Sequence, residues 1–437
     1  MLKKLFSAGN INQLYAFMHQ LLMAAYGFAL LFIMVRLMPQ AEVGRWLLFI
    51  SALSISDMLM QGLLQTIVVK EIATHKTDAF INRKIENNAL LLATVFFMVM
   101  VAVTFLTKAV VYFTGKDFLL LNDFSNWYPA LGLLMIMYNL SWWVNTGKVN
   151  FKIILIQRII YCSVSLLIIL AEYLIHRSLT FQTAIISQVA GYGVSALFAF
   201  FINRFSFHKK YLDIAMIKQF LGYGKYTIGT MLGSSLLRNA DTFMIAAFMN
   251  SSAVAVYTLA QKIIEVFEVM LRSVAATFLP VLQNLRNDKA SFSQLLIGRM
   301  VVLIVLFIPA ALLVFIFSDN VIQLISGSDQ YNLSAMILKV FMLYVLLLPV
   351  DRFLGVALEA CHLPKLNFIK TIMLIAVNIG GNYIALHFYQ SLIGVAAVSS
   401  IALSTGIAAG FYFLNKSGTV KFSIFNIQQS LLKLKLQ

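Results

Sequence analysis

Apolar residues run in long blocks along nearly the whole chain, and short polar segments rich in Lys and Arg separate them. A helix needs about 20 predominantly apolar residues to cross a bilayer. The pattern therefore predicts about twelve spans, near residues 13–38, 45–69, 88–114, 127–147, 153–175, 181–203, 219–249, 253–281, 294–317, 334–361, 366–388 and 392–415. The fourth and fifth are the least cleanly separated. No connection exceeds roughly 20 residues, which leaves no room for a soluble domain of about 50 or more. The start, Met1 to Lys4, resembles the basic end of a signal peptide, but the apolar segment after it is too long and lacks a small-x-small cleavage site. It reads as an uncleaved first span.

The basic residues divide unevenly between alternate connections. One set carries Lys3, Lys4, Lys70, Lys76, Arg83, Lys84, Lys148, Lys152, Arg204, Lys209, Lys210, Lys218, Arg286, Lys289, Lys365, Lys416, Lys421, Lys433 and Lys435. The other carries only Arg45, Lys108, Lys116 and Arg177. Lys and Arg in short loops stay on the cytoplasmic side, so both termini of this multi-pass membrane protein are expected there. From Lys416 onward Phe422, Phe425, Ile427, Leu431 and Leu432 mix with Lys433 and Lys435. Residues 416–437 read either as an amphipathic helix on the inner leaflet or as a loosely ordered tail.

Composition sharpens this picture. Of 437 residues, 61% are hydrophobic and 11% charged, against about 25% charged in a soluble domain. Mean hydropathy is +0.86. The net charge of +16 would suggest nucleic acid in a soluble protein. Here it flanks apolar runs and points to anionic lipid headgroups instead. Cys162 and Cys361 both fall in apolar stretches and read as packing residues.

Charge inside a span is costly, about 2.5–3.5 kcal/mol at helix centre on insertion scales, so each instance asks for a reason. The second span carries Asp57, Gln61 and Gln65, the seventh Arg238 and Asp241, and the tenth Asp351, Arg352 and Glu359. The eighth carries Lys262, Glu265, Glu268 and Arg272, within an arc of about 120°. Two readings compete: interhelical pairs that only hold the bundle together, or the wall of a wet cavity. Both signs alternate along the eighth-span face, which suits a cavity better; packing alone is met by small residues, as in Gly229-x-x-x-Gly233. The fourth span offers Tyr138, Asn139, Trp142, Trp143 and Asn145. Aromatic faces beside amides suit sugar rings, although an interfacial aromatic belt explains Trp142 and Trp143 as well. Asn378 and Asn382, four apart in the eleventh span, face either a cavity or a neighbouring helix.

Enzyme motifs are nearly absent. There is no P-loop, HExxH, CxxC or Gly-x-Ser-x-Gly. Glu359-x-x-His362 is a single carboxylate–histidine pair, short of what a di-metal bundle needs, and Gly222-x-Gly224 lacks the preceding strand of a nucleotide loop. No cofactor and no metal is expected.

At one constant offset Met38 falls on Met249, Val43 on Val254, Gly44 on Ala255, Trp46 on Tyr257 and Asp57 on Glu268, a weak sign of two six-span repeats. The segments Val35–Gly44, Asn239–Ile245 with Ala253–Lys262, and Phe278–Leu282 resemble the end of the first span, the seventh–eighth span signature and the end of the eighth span of polysaccharide exporters. The chain is thus similar to O-antigen (Wzx-like) flippases of the multidrug/oligosaccharidyl-lipid/polysaccharide exporter superfamily. That resemblance implies an all-α membrane protein with two six-helix lobes, 1–210 and 211–415, forming a V around a central cavity. It implies that Asp57, Arg238, Asp241, Lys262, Glu265, Glu268 and Arg272 face the lumen.

The implied substrate is an undecaprenyl-diphosphate-linked oligosaccharide, moved from the inner to the outer leaflet by alternating access. Cations in a low-dielectric cavity can offset desolvation of a pyrophosphate. The candidates are Arg238, Lys262, Arg272 and Arg352. Carboxylates that exchange H+ or Na+ would couple transport to an ion gradient, with Asp57, Asp241, Glu265 and Glu268 as candidates. Tyr138, Asn139, Trp142, Asn378 and Asn382 are candidate sugar contacts. Other polysaccharide-assembly proteins and membrane lipids are expected partners, nucleic acid is not. The alternatives are a drug/cation antiporter of the same superfamily, which should have an acidic cavity, and a membrane polysaccharide polymerase, which usually needs a large external loop.

Overall fold

The computed structural model describes residues 8–113, 118–205 and 207–418. Lys3, Lys4, Lys116 and the proposed tail helix beyond residue 418 lie outside them. The described residues form twelve long helices: α1 (Ala8–Leu37), α2 (Gln40–Thr74), α3 (Ala79–Phe113), α4 (Leu119–Gly147), α5 (Phe151–His176), α6 (Phe181–Asn203), α7 (Ile214–Phe248), α8 (Ser251–Asn284), α9 (Lys289–Ile316), α10 (Asn332–Ala360), α11 (Pro364–His387) and α12 (Leu392–Lys416). A nine-residue helix, Ser318–Ser326, follows α9. Each long helix matches its predicted span to within one residue or extends beyond it, usually at the basic end. Nine of the described helices are long and apolar enough to cross a membrane by composition. The three that are not, α4, α7 and α8, carry many of the intramembrane polar residues noted above.

The unclear boundary between the fourth and fifth spans falls at Lys148–Asn150. Val149 there has φ 58°, and the Asn150 amide donates back to the Asn145 carbonyl at 2.8 Å. This is a helix-ending turn that ordinarily uses Gly, so no composition signal marked it. Arg177 and Arg204, also left-handed, end α5 and α6 in the same way.

The chain divides into two compact units, Met1–Asn239 and Ala240–Gln437. In the first, α2, α3 and α6 pack on α4, and α5 packs on α6. In the second, α8, α9 and α12 pack on α10, and α11 packs on α12. These helix pairings recur in both units, the pattern that two copies of one six-helix plan would show. The division falls within α7, because the first part of that helix leans on α2. Thr227 donates to the Gly62 carbonyl, and a Cβ on Gly224 would sit 2.8 Å from the Leu63 carbonyl. Among the described residues, a Cβ on Gly229 or Gly233 would meet nothing within 4 Å, so no close helix approach is described at this pair. Close approach is made elsewhere: a Cβ on Gly147 would lie 2.7 Å from Ile72, and one on Gly381 would lie 2.6 Å from Val398.

Connections expected to share one side do meet in the first unit. Lys148 pairs with Glu86 at 3.2 Å and Lys84 with Asp213 at 2.9 Å. Arg83 donates to the Arg204 carbonyl at 2.8 Å. Asn88, with no exposed surface, accepts from the Asp213 amide and donates to the Tyr211 carbonyl, both at 3.0 Å. The start of α3 thereby holds the segment that joins α6 to α7. The Lys84 ammonium keeps the Asp213 carboxyl below its ordinary range, with help from the Ala215 amide. At the other end Arg45 forms a two-pronged pair with Asp123 at 2.7 and 2.6 Å, and Glu42 caps α6 by accepting from the Phe181 amide at 2.7 Å.

Candidate functional site

Each unit encloses a polar centre at membrane depth. In the first, Asp57 of α2 accepts from Asn139 of α4 at 2.7 Å and from Gln61, one turn along α2, at 2.6 Å. The i, i+4 spacing read in the sequence places Gln61 there. Asp57 is the acceptor for two neutral amides and makes no ion pair within 4.0 Å among the described residues. Tyr138 and Asn139 are both 2% exposed. Tyr138 packs edge-on to Tyr192 (4.9 Å between ring centres) and beside Tyr161 (5.8 Å). Trp142, one turn further along α4, is half-buried.

In the second unit Asp241 of α7 is buried. Its carboxylate accepts from the Tyr257 hydroxyl of α8 at 2.6 Å, the Asn382 amide of α11 at 2.7 Å and, more distantly, the Ser399 hydroxyl of α12 at 3.4 Å. Asn382 also reaches Asn378 at 3.3 Å. Of the two roles left open for Asn378 and Asn382, the hydrogen bonds formed are those to this carboxylate and to each other. Again neutral donors surround an acid, here three of them, with no cation within ion-pair distance among the described residues.

The α8 charges occupy one half-exposed face. Lys262 pairs with Glu265 at 2.7 Å, and Arg272 lies 3.9 Å from Glu268. The opposite face, Ile264, Phe267 and Leu271, is buried. A helix with this division can meet lipid with only part of its circumference, because hydrated charge is excluded from hydrocarbon. Arg238 and Arg352 are both exposed. Asp351, beside Arg352, instead turns to Lys370 of α11, whose ammonium lies 2.6 Å from the carboxylate and 3.0 Å from the Asp351 carbonyl.

Among the intramembrane cations that the sequence reading passed over are Arg158 in α5 and Lys370 in α11. Neither lies in a loop, so neither entered the topology count. Each is the one cation of its predicted span, without the alternating charges that drew attention to α8. The run Ile153-Ile154-Leu155-Ile156-Gln157-Arg158-Ile159-Ile160 carries the signal nonetheless, a guanidinium in an otherwise apolar stretch.

Twelve long helices in two like-built units define a multi-pass membrane protein with the fold of the multidrug and lipid-linked-glycan exporters. An inward-facing multidrug resistance MATE family transporter of the MOP superfamily superposes with a TM-score of 0.73 at 14% identity, over 90% of this chain and 94% of the transporter. Lipid II flippase MurJ, in an inward closed conformation, gives 0.72 at 15% identity, over 98% of this chain and 92% of MurJ. The family described as "Polysaccharide biosynthesis protein" matches residues 11–286, and this chain belongs to it. A probable low-salt glycan biosynthesis flippase, Agl15 of Haloferax volcanii, is 21% identical over 256 residues, 58% of this chain and 53% of the relative. The chain thus spans about half the length of that curated relative.

Proposed function

We propose that this protein is a flippase that carries an undecaprenyl-diphosphate-linked oligosaccharide, an O-antigen or related repeat unit, from the inner to the outer leaflet of the bacterial inner membrane. The observation that carries the reading is the half-exposed charged face of α8, in a chain of the polysaccharide biosynthesis family. Lys262 and Arg272 supply cations for a diphosphate, with Arg238 and Arg352 as further candidates, while the polyprenyl tail stays in lipid. Glu265 and Glu268 hold those cations between transport events. Balanced signs on this face favour an anionic head over the cationic substrates of a drug antiporter. Trp142 offers a ring face to a sugar, and Tyr138, Asn139, Asn378 and Asn382 set the polar walls behind.

Asp57 and Asp241 are the coupling groups in this proposal. A carboxylate removed from water and surrounded by neutral donors is uncompensated, and the cost of its charge falls when H+ or Na+ binds. One such acid in each unit gives an ion gradient a handle on access to the two membrane faces. The two domains in this scheme are 1–210 and 211–415, with both termini cytoplasmic.

The test uses the full chain in proteoliposomes with a fluorescent lipid-linked oligosaccharide, whose glycan is scored by an impermeant glycosidase. A pH or Na+ gradient should speed translocation severalfold in wild type and leave Asp57→Asn and Asp241→Asn unaffected. Absence of translocation, with efflux of organic cations instead, would establish the antiporter reading.

A further inference from the structure

Arg158 lies on α5 about 11 Å along the axis from its first residue, at the end of the helix next to Lys148 and Lys152. Its guanidinium carbon is 4.7 Å from the Tyr138 ring centre and 4.8 Å from that of Trp142. One of its nitrogens donates to the Tyr138 hydroxyl. The rings stand one helical turn apart on α4, so both present to the same neighbour. Tyr138 is held in turn by Tyr161 and Tyr192, and its carbonyl accepts from the fully buried Gln157 side chain at 2.9 Å. The cation is therefore fixed in place before any ligand arrives.

What the site lacks is an anion. No carboxylate comes within 4.0 Å of Arg158 among the described residues. Asp57 lies within its electrostatic reach, but both Asp57 oxygens are taken by Asn139 and Gln61. The second unit shows the contrast. Lys370 on α11, the helix with the place of α5, has a carboxylate at 2.6 Å supplied by Asp351 of α10, the helix with the place of α4. There the charge is closed within the protein. In the first unit the corresponding helix holds a guanidinium with five donors, one of them used by Tyr138, and aromatic faces attract the cation without neutralising it. Arg158 remains half-exposed, so its other donors are open to a ligand.

We propose that Arg158, clamped by Tyr138 and Trp142, is an oxyanion-binding subsite for the head of the transported glycolipid. The shared chemistry is a planar, two-oxygen contact with a guanidinium, met by a diphosphate or by the carboxylate of an acidic sugar. The proposal rests on the flippase reading for its ligand.

Binding is measured by thermophoresis on the detergent-solubilised full chain, with two probes: undecaprenyl diphosphate bearing no sugar, and a lipid-free glucuronate-containing tetrasaccharide. Arg158→Gln should weaken one probe or both by about tenfold or more, the size of a lost charge-assisted contact. Arg158→Lys should fall between, because an ammonium keeps the charge but not the flat, forked geometry. Arg177→Gln, an exposed arginine outside the site, should bind as wild type. Melting curves for each variant confirm that the fold persists, and Arg158→Lys keeps the test valid if Arg158→Gln is unstable. Loss confined to the diphosphate assigns the subsite to the phosphate linkage, and loss confined to the tetrasaccharide assigns it to a sugar acid. Equal binding by wild type and Arg158→Gln, or no binding of either probe by wild type, overturns the proposal. So does competition by phosphatidylglycerol at equal concentration, which makes bilayer phosphate the ligand. Translocation is scored in parallel: flipping by wild type and Arg158→Gln alike removes the subsite and keeps the flippase, whereas Arg158-dependent binding without flipping by wild type does the reverse.

Discussion

Removing one half of the Lys370–Asp351 pair should unfold the second unit far more readily than removing both. The Lys370 side chain is 5% exposed and that of Asp351 20%. Lys370 donates to the Asp351 carboxylate at 2.6 Å and to its carbonyl at 3.0 Å. The site has little slack, because a Cβ on Gly406 would already lie 3.0 Å from the Asp351 carboxylate. Lys370→Met leaves a mostly buried carboxylate without a counter-charge, a change that costs about 3–5 kcal/mol in buried pairs. The residual exposure of Asp351 places this case near about 3 kcal/mol. Asp351→Asn strands the ammonium and should cost a similar amount, lessened as the amide oxygen still accepts. The double variant Lys370→Met, Asp351→Asn removes both charges and should recover most of the loss. Unfolding by sodium dodecyl sulfate titration in mixed micelles, with all four proteins compared, gives the coupling energy directly. Two single-variant losses that simply add in the double variant would refute the reasoning, because the pair would then be two independent contacts.

Three further expectations follow from the geometry. Single cysteines at Lys262, Glu265, Glu268 or Arg272, in a background without Cys162 and Cys361, should react with an impermeant maleimide. Cysteines at the buried Ile264, Phe267 and Leu271 should not; uniform labelling would remove the division of α8 into two faces. Val149→Gly relieves a left-handed β-branched residue, worth about 1–2 kcal/mol less the extra chain entropy of Gly. Thermal unfolding should shift upward, and a downward shift would show that Val149 is held by packing. Asp213 has a lowered pKa, so its tie to Lys84 is complete above the ordinary carboxylate value of 3.8 and is lost as pH falls through the lowered value. Asp213→Asn should reproduce that loss at neutral pH, seen as faster tryptic cutting at Lys209 and Lys210, and an unchanged rate would show that Asn88 alone secures the segment.

The spans were legible because hydrophobic length is a local property: about 20 apolar residues must sit in hydrocarbon wherever the chain places them. The same holds for the α8 face, since 100° per residue is set by the helix itself. The α4–α5 boundary was not, because it is made by backbone dihedrals at Val149 that its side chain disfavours. Which polar groups meet depends on residues far apart in the chain. Asp57 finds Asn139, and Asp241 finds Tyr257, Asn382 and Ser399, only once α2 lies on α4 and α7 joins α8, α11 and α12. Lys370 and Arg158 look alike in sequence, each the one cation of its predicted apolar span. Packing alone gave the first a carboxylate and left the second against two aromatic rings. Hydropathy records the cost of a buried charge, and only the tertiary structure shows what offsets it.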